Sequence, residues 1–303
     1  MATAEKIAQL EAEQMEQLKS VTHWQRALRR LRRDHLTLVA LAALGLLAGL
    51  AILAEPISKN VLGIDPFREN LQKTFAMPDD VNRLGTDNKG RDHLARLLYG
   101  AQISLSIAFA AAVLSLTIGV SLGIITGYYG GVVDDIMIWF ITTLGSIPQL
   151  FLLLIVSALF TPGPVTLTLI LGLLGWTGTL RLVRGETLGL REREFVVAAR
   201  AMGASDWRLM FQHIMPNLIS LVIVTLMIDI GALILVESAL SFLGFGVAPP
   251  VPTWGNMLSN SQEFFRKAPH LVIMPGVLIT ITVLCLYIIG DGIRDALDPT
   301  VSE

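Results

Sequence analysis

From Ile136 to Leu180 the chain runs for 45 residues without an Asp, Glu, Lys or Arg. A charge at the centre of a bilayer helix opposes insertion by roughly 2.5 to 3.5 kcal/mol, so long charge-free apolar runs mark membrane spans. About 20 helical residues, each rising about 1.5 Å, cross the hydrocarbon layer of roughly 30 Å. The run is therefore long enough for two spans, and Thr161-Pro162-Gly163-Pro164 supplies the turn between them. Four further apolar stretches complete the set: Leu36 to Ala54, Ile103 to Gly127 and Leu271 to Gly290 are uncharged, and Leu218 to about Leu240 is apolar apart from Asp229 and Glu237. Six spans result, which makes an all-α integral membrane protein. The overall balance agrees: of 303 residues 53% are hydrophobic and only 16% charged, too apolar for a soluble domain.

The chain divides accordingly. Residues 1–35 form a polar N-terminal segment and 36–54 the first span; 55–102 form a long loop, 103–290 a five-helix core and 291–303 a C-terminal tail. The first apolar run follows 35 polar and charged residues, so no cleaved secretory signal is expected. Arg26, Arg29, Arg30, Arg32 and Arg33 directly precede the first span, which predicts a cytoplasmic N-terminus. Six spans then return the C-terminus to the same side. Arg181, Arg184, Arg191, Arg193, Arg200 and Arg208 flank or occupy the connection after span four, which this topology also makes cytoplasmic. The loop from Glu55 to Gln102 carries seven basic and seven acidic residues, a balance that says little about orientation. Trp24, Leu28 and Leu31 share one helical face among arginines. That pattern suits a helix in the lipid headgroup layer or a plain positive flank. Ile7, Leu10 and Leu18 before it are weakly amphipathic and receive no function.

The search for chemistry is mostly negative. A net charge of -2 gives no basic field for nucleic acid. Cys285 is the lone cysteine, so neither a disulfide nor a thiolate zinc site forms within the chain. His23, His35, His93, His213 and His270 are scattered without metal-ligand spacing, so no metal site is expected. No phosphate loop of the G-x-x-x-x-G-K-[ST] form and no G-x-S-x-G occurs, so no catalytic residue is assigned. Gly119, Gly123 and Gly127 make a face suited to close helix packing.

The connection over 185–217 is the most informative stretch. Glu194 to Met202 contains good helix formers, Gly203 can end a helix in the left-handed conformation, and Ser205 can cap the next one. The small side chains of Ala198, Ala199 and Ala201 let another surface approach the backbone. These residues alone describe either a short exposed helical hairpin suited to docking or a plain cytoplasmic loop.

Ala198-Ala199-x3-Gly203, followed by His213-Ile214-Met215-Pro216-Asn217, resembles the EAA loop of ABC importer permeases, E-A-A-x3-G-x9-I-x-L-P. Ala198, Ala199, Gly203 and Pro216 match at the right spacing. Val197 replaces the acidic residue, His213 the isoleucine and Met215 the leucine. These departures are similar to the form in permeases for dipeptides, oligopeptides and nickel. Three further segments extend the resemblance: Leu84-Gly85-Thr86-Asp87-x2-Gly90-Arg91-Asp92 with Arg96 to Ala101; Glu237 to Gly244 with Pro252-x-Trp254-Gly255; and Gly290-Asp291-Gly292-x-Arg294 to Pro299. The long first loop resembles the second of the two permease subunits such systems contain.

The resemblance implies a type I ABC importer permease fold with a coupling helix seated in a cytoplasmic ATPase. Glu194, Ala198, Ala199, Arg200, Gly203, Ala204, Ser205, Trp207 and Pro216 are then the coupling residues. It implies as partners a homologous permease subunit, two ATPase subunits, an extracytoplasmic binding protein and membrane lipid. ATP and Mg would be held by the ATPases, with no cofactor in this chain. Transport would proceed by alternating access, with peptides as the expected solute and nickel or another small polar solute as the alternative.

Asp229 and Glu237 are ionisable groups inside span five and so are pathway candidates. For Glu237 two readings stand, a gate or substrate contact and a structural hydrogen-bond role; Asp229 can face a watered cavity. Trp254 ends a Gly- and Pro-rich segment from Ser241 to Asn256, which reads as a stiff loop presenting an aromatic near the interface, either as part of an outer gate or as an anchor. An ion-coupled secondary transporter would also use the two carboxylates but leaves the hairpin unexplained. An intramembrane enzyme would need a closer pair, since eight positions on one helix place them about 12 Å apart.

Overall fold

The computed structural model describes residues 23–161, 163–259 and 261–297, and it is a helical bundle. We number its helices α1 (His23–Leu31), α2 (His35–Ile52), α3 (His93–Tyr129), α4 (Gly131–Gly145), α5 (Gln149–Leu159) and α6 (Pro164–Leu190). They continue as α7 (Glu194–Ala201), α8 (Asp206–Phe242), α9 (Trp254–Met257), α10 (Ser261–Lys267) and α11 (His270–Leu297). Five of these, α2, α3, α6, α8 and α11, are long and apolar enough to cross a membrane. The bent pair α4–α5 is long and apolar enough only when taken together, as a broken span or a re-entrant loop. The weakly amphipathic segment with Ile7, Leu10 and Leu18, the Trp24 side chain of the expected headgroup-layer helix and the tail from 298 lie outside the described residues.

Five crossings, or six where α4 and α5 count as one broken span, answer to the six expected, with boundaries that differ from the sequence reading in three places. Span three is not one straight helix: α4 and α5 meet at 79° across Ser146-Ile147-Pro148. Pro148 has no N–H to continue the helical ladder and disfavours helical backbone at the residue before it. The turn before α6 falls where expected, with Pro164 opening the helix. Second, α3 is 37 residues long and begins at His93, so the last turns assigned to the 55–102 loop belong to it. Third, the limits of 185–217 fall inside α6 and α8.

Asp92 starts α3 by accepting a hydrogen bond from the Ala95 N–H at 2.8 Å. Burial pushes its carboxyl above the ordinary value. Asp34 caps α2 in the same way through the N–H of Leu36 and Thr37, and the Thr37 hydroxyl lowers its pKa. Helix α8 changes pitch near its start. Pro216 cannot donate to the carbonyl four residues back, and Leu209–Ile214 widens into a π-helical stretch in which the Met215 N–H reaches Met210. Asn217 donates its side-chain amide to the His213 carbonyl at 2.6 Å, satisfying a group in the disturbed turn.

Helix α3 is the axis of the bundle, packed against α6, α8 and α2. The three glycines of its sequence face do serve packing. An added Cβ would lie 2.7 Å from Thr179 Cβ at Gly119, 2.8 Å from Val183 Cβ at Gly123 and 2.7 Å from Thr187 Cβ at Gly127. No side chain fits there, so α3 and α6 are in backbone-level contact over two turns. Asp134 of α4 and Arg184 of α6 make a two-pronged ion pair at the same end as Tyr128. The bundle therefore has a hairpin end, with α7, and a loop end, with α9 and α10. Helix α1 packs on α11.

Candidate functional site

Two clusters of residues singled out by sequence occupy opposite ends of the bundle. At the hairpin end, α7 stops at Gly203, whose φ of +84° is the left-handed conformation that only glycine adopts without strain. The Ala204 N–H returns to the Ala199 carbonyl at 3.1 Å and the Gly203 N–H to Arg200 at 3.0 Å, closing the helix end. Ser205 occupies the cap position of the next turn, but its side chain makes no capping bond. That part of the expectation does not hold.

The hairpin has two unlike faces. Val196 and Ala199 point inward and pack with Leu209, Met210 and Ile214 against Ile124, Tyr128 and Val183. Ala199 was expected on the docking face. The helical period puts it instead three residues from Val196, on the buried side. Outward point Glu194, Ala198, Arg200 and Gly203, with Phe195 and Val197, while Ala204 is half-buried against the inner cluster. Two large apolar side chains stand out at the tip. Met202 is 83% exposed and Trp207 is 68% exposed, with the Trp207 ring against Phe211 at 4.0 Å between centroids. Pro216 lies beyond this patch, exposed, where its effect is on the pitch of α8.

Three polar ties hold the hairpin to the end of α3. Tyr128 donates its hydroxyl to Asp206 Oδ1 at 2.6 Å. The Arg200 guanidinium lies over the Tyr128 ring, 5.6 Å from its centroid. Arg191 donates to the carbonyls of Gly127 at 3.1 Å and Tyr128 at 3.3 Å, among the last of α3 and so without helical partners. Tyr128 was not singled out by sequence; an aromatic with a polar tip at a span end was its only signal.

At the loop end, Glu237 and Trp254 are each 0% exposed and belong to one network. Ser104 of α3 donates to Glu237 Oε2 at 3.3 Å and accepts from the Trp254 N–H at 3.1 Å. Ser241 donates to Glu237 Oε1 at 2.8 Å. The Trp254 indole donates to the Leu97 carbonyl at 3.1 Å. Trp254 thus does not present an aromatic at an interface: it is sealed against α3, where a Cβ on Gly100 would lie 3.2 Å from its ring, while Gly255 lets α9 approach α8 so closely that a Cβ would lie 2.6 Å from Ser238 Cα. Thr253 and Asn256 cap α9 reciprocally, and Asn256 also holds the Val247 and Val251 carbonyls. Here the sequence missed Ser104, which joins the two named residues.

The motif over 84–96 supports this network from outside. Asp87 Oδ2 pairs with Arg91 at 2.8 Å and Arg96 at 3.4 Å, and its Oδ1 accepts from the N–H groups of Lys89 and Arg91. Arg96, in the first turn of α3, reaches the Pro250 carbonyl at 3.3 Å, tying that helix start to the segment before α9. Asp229 stands apart at mid-helix. It is half-buried and accepts from the Thr179 hydroxyl of α6 at 3.2 Å.

The comparisons with known proteins agree on one family. Residues 119–303 match the family described as "Binding-protein-dependent transport system inner membrane component". Residues 22–76 match the "N-terminal TM domain of oligopeptide transport permease C". The chain is 36% identical over 285 residues to an oligopeptide transport system permease protein of Bacillus subtilis, covering 94% of this chain and 92% of that one. It is 35% identical over 290 residues to a glutathione transport system permease protein of Pectobacterium atrosepticum, covering 94% of each. A dipeptide transport system permease protein of Alkalihalophilus pseudofirmus is 34% identical over 288 residues, covering 95% of this chain and 93% of that one. Among solved structures, an inward-facing MetNI methionine ABC transporter chain aligns with a TM-score of 0.53 at 17% identity, over 67% of this chain and 96% of that chain.

Proposed function

The chain belongs to the family of binding-protein-dependent transport system inner-membrane components, and from that premise we propose that it forms half of the translocation pathway of an ATP-driven peptide importer. It is a multi-pass transmembrane permease subunit with the fold of ABC importer permeases. The second half is a homologous permease subunit. Energy comes from two cytoplasmic ATPase subunits that bind ATP and Mg, and solute arrives from an extracytoplasmic binding protein. Three of its relatives carry oligopeptide, dipeptide and glutathione in their names, and the solutes share the peptide bond.

The observation that carries the reading is the outward face of the hairpin. A loop fastened to α3 by Tyr128, Arg191 and Arg200 nevertheless holds Met202 and Trp207 in the open. Large apolar groups held out on a rigid base suit a protein groove, where burying each contributes about 1.5 to 3 kcal/mol. In this reading Glu194, Ala198, Arg200, Gly203, Ser205, Met202 and Trp207 meet the ATPase. The hairpin end, with both chain termini, is cytoplasmic. Glu237 and Trp254 close the opposite end as a fastener between α3, α8 and α9. Asp229 is the remaining carboxylate able to face solute.

Reconstitution in vesicles tests it. The chain, its homologous partner, the ATPases and the binding protein should together give ATP-dependent uptake of a labelled peptide, and leaving out the ATPases should abolish it. Uptake that persists without ATPases and follows an imposed ion gradient would overturn the proposal.

A further inference from the structure

The three acidic residues of α8 share one kind of partner. Asp206 accepts from the Tyr128 hydroxyl, Asp229 from the Thr179 hydroxyl and Glu237 from the Ser104 hydroxyl. Ser104 and Tyr128 both lie on α3, 24 positions apart, which is about 36 Å of helix. Thr179 lies on α6, which α3 touches at backbone level through Gly119, Gly123 and Gly127. Helices α3 and α6 thus form one stiff unit, with α8 pinned to it at the hairpin end, the middle and the loop end. The pins differ in setting. Ser104 and Glu237 are sealed, whereas Asp206 is exposed and its bond to Tyr128 lies at the root of the hairpin.

We propose that Tyr128 is the positioning residue through which motion of the hairpin is delivered to α3, and so to the Ser104–Glu237–Trp254 fastener at the far end. The inference rests on the transport reading above. Its geometry is specific to this one residue. The hydroxyl holds the start of α8, the ring supports Arg200 of α7, and the backbone carbonyl takes Arg191 from the connection between α6 and α7. Every arm of the hairpin meets α3 at Tyr128. Without the hydroxyl, the apolar contacts with Ile124, Val196 and Leu209 remain, but the Asp206 turn is free to slide on α3 instead of pushing it.

Tyr128→Phe removes only the hydroxyl and keeps the ring, so assembly and ATPase co-purification should be unchanged. Peptide taken up per ATP hydrolysed by the reconstituted complex should fall roughly three- to tenfold, the range for losing a hydrogen bond to a partly exposed carboxylate. Asp206→Ala should fall equally, the double variant no further, and Asp206→Asn, which keeps an acceptor oxygen, should restore most of the ratio. A readout that needs no ATPase accompanies this. A spin label on Ser205→Cys in a Cys285→Ser background should be immobile with Tyr128 and more mobile with Tyr128→Phe. Equal mobility, an unchanged uptake ratio, or additive losses in the double variant would each overturn the proposal. A wild-type complex without ATP-driven uptake would instead refute the transport reading, while the label would still report on the clamp.

Discussion

The hairpin and the loop-end network are both built from short, motif-like segments, yet they treat their largest side chains in opposite ways. At the hairpin Trp207 is 68% exposed; at the loop end Trp254 is 0% exposed and hydrogen-bonded to the Leu97 carbonyl. The hairpin directs its polar ties inward, to Tyr128 and the end of α3, and leaves its apolar tip free. The loop end buries its apolar group and satisfies the polar ones around it, with Ser104 serving Glu237 and the Trp254 backbone together. A motif match alone therefore does not distinguish a docking surface from an internal fastener. Burial and the direction of the hydrogen bonds do, because an exposed aromatic gains by meeting a partner whereas a buried one is already satisfied.

The sharpest way to break this contrast is to truncate both tryptophans. Trp254→Ala should destabilise the folded chain by about 3–5 kcal/mol, since it empties a filled core site and removes the indole hydrogen bond to the Leu97 carbonyl. Trp207→Ala should leave stability within about 0.5 kcal/mol while reducing ATPase co-purification by roughly tenfold or more. Thermal unfolding of the purified chain and quantitative co-purification read the two effects. Equal stability losses would remove the distinction.

A smaller effect sharpens the contrast within the hairpin itself. Ala199→Asp buries a charge against Leu209 and Ile214 and should loosen residues 194–208 by about 2–3 kcal/mol, seen as faster amide exchange there. Ala198→Asp, on the exposed side, should leave exchange unchanged and weaken only association with the ATPases. Identical exchange in the two variants would contradict the assignment of faces.

Much of this was legible in the sequence for a physical reason. Hydrocarbon tolerates few charges, so runs poor in charge located the five long apolar helices and the bent α4–α5 pair, and Gly203 marked the end of α7 because its φ of +84° suits glycine. What escaped depends on three-dimensional adjacency. Nothing local in the runs around Ser104 and Tyr128 says that one meets Glu237 some 130 positions away and the other Asp206. The bend at Pro148 was missed because 45 uncharged residues carry no internal landmark except prolines, and only Pro162 and Pro164 were read as a break. Ala199 was placed on the wrong face because the motif records small residues without saying which of them the chain itself covers. Trp254 was misplaced for the same reason: Gly255 permits the close approach of α9, and its necessity shows only when α8 is seen beside it.

The central claim is that the exposed tip of the hairpin is where an ATPase subunit drives this chain. A photoreactive amino acid replacing Trp207 in the assembled, membrane-embedded complex tests it most directly. Irradiation should yield a covalent adduct with an ATPase subunit, suppressed when Met202→Glu is introduced beside it. Adducts confined to lipid, to this chain itself or to the binding protein would contradict the account.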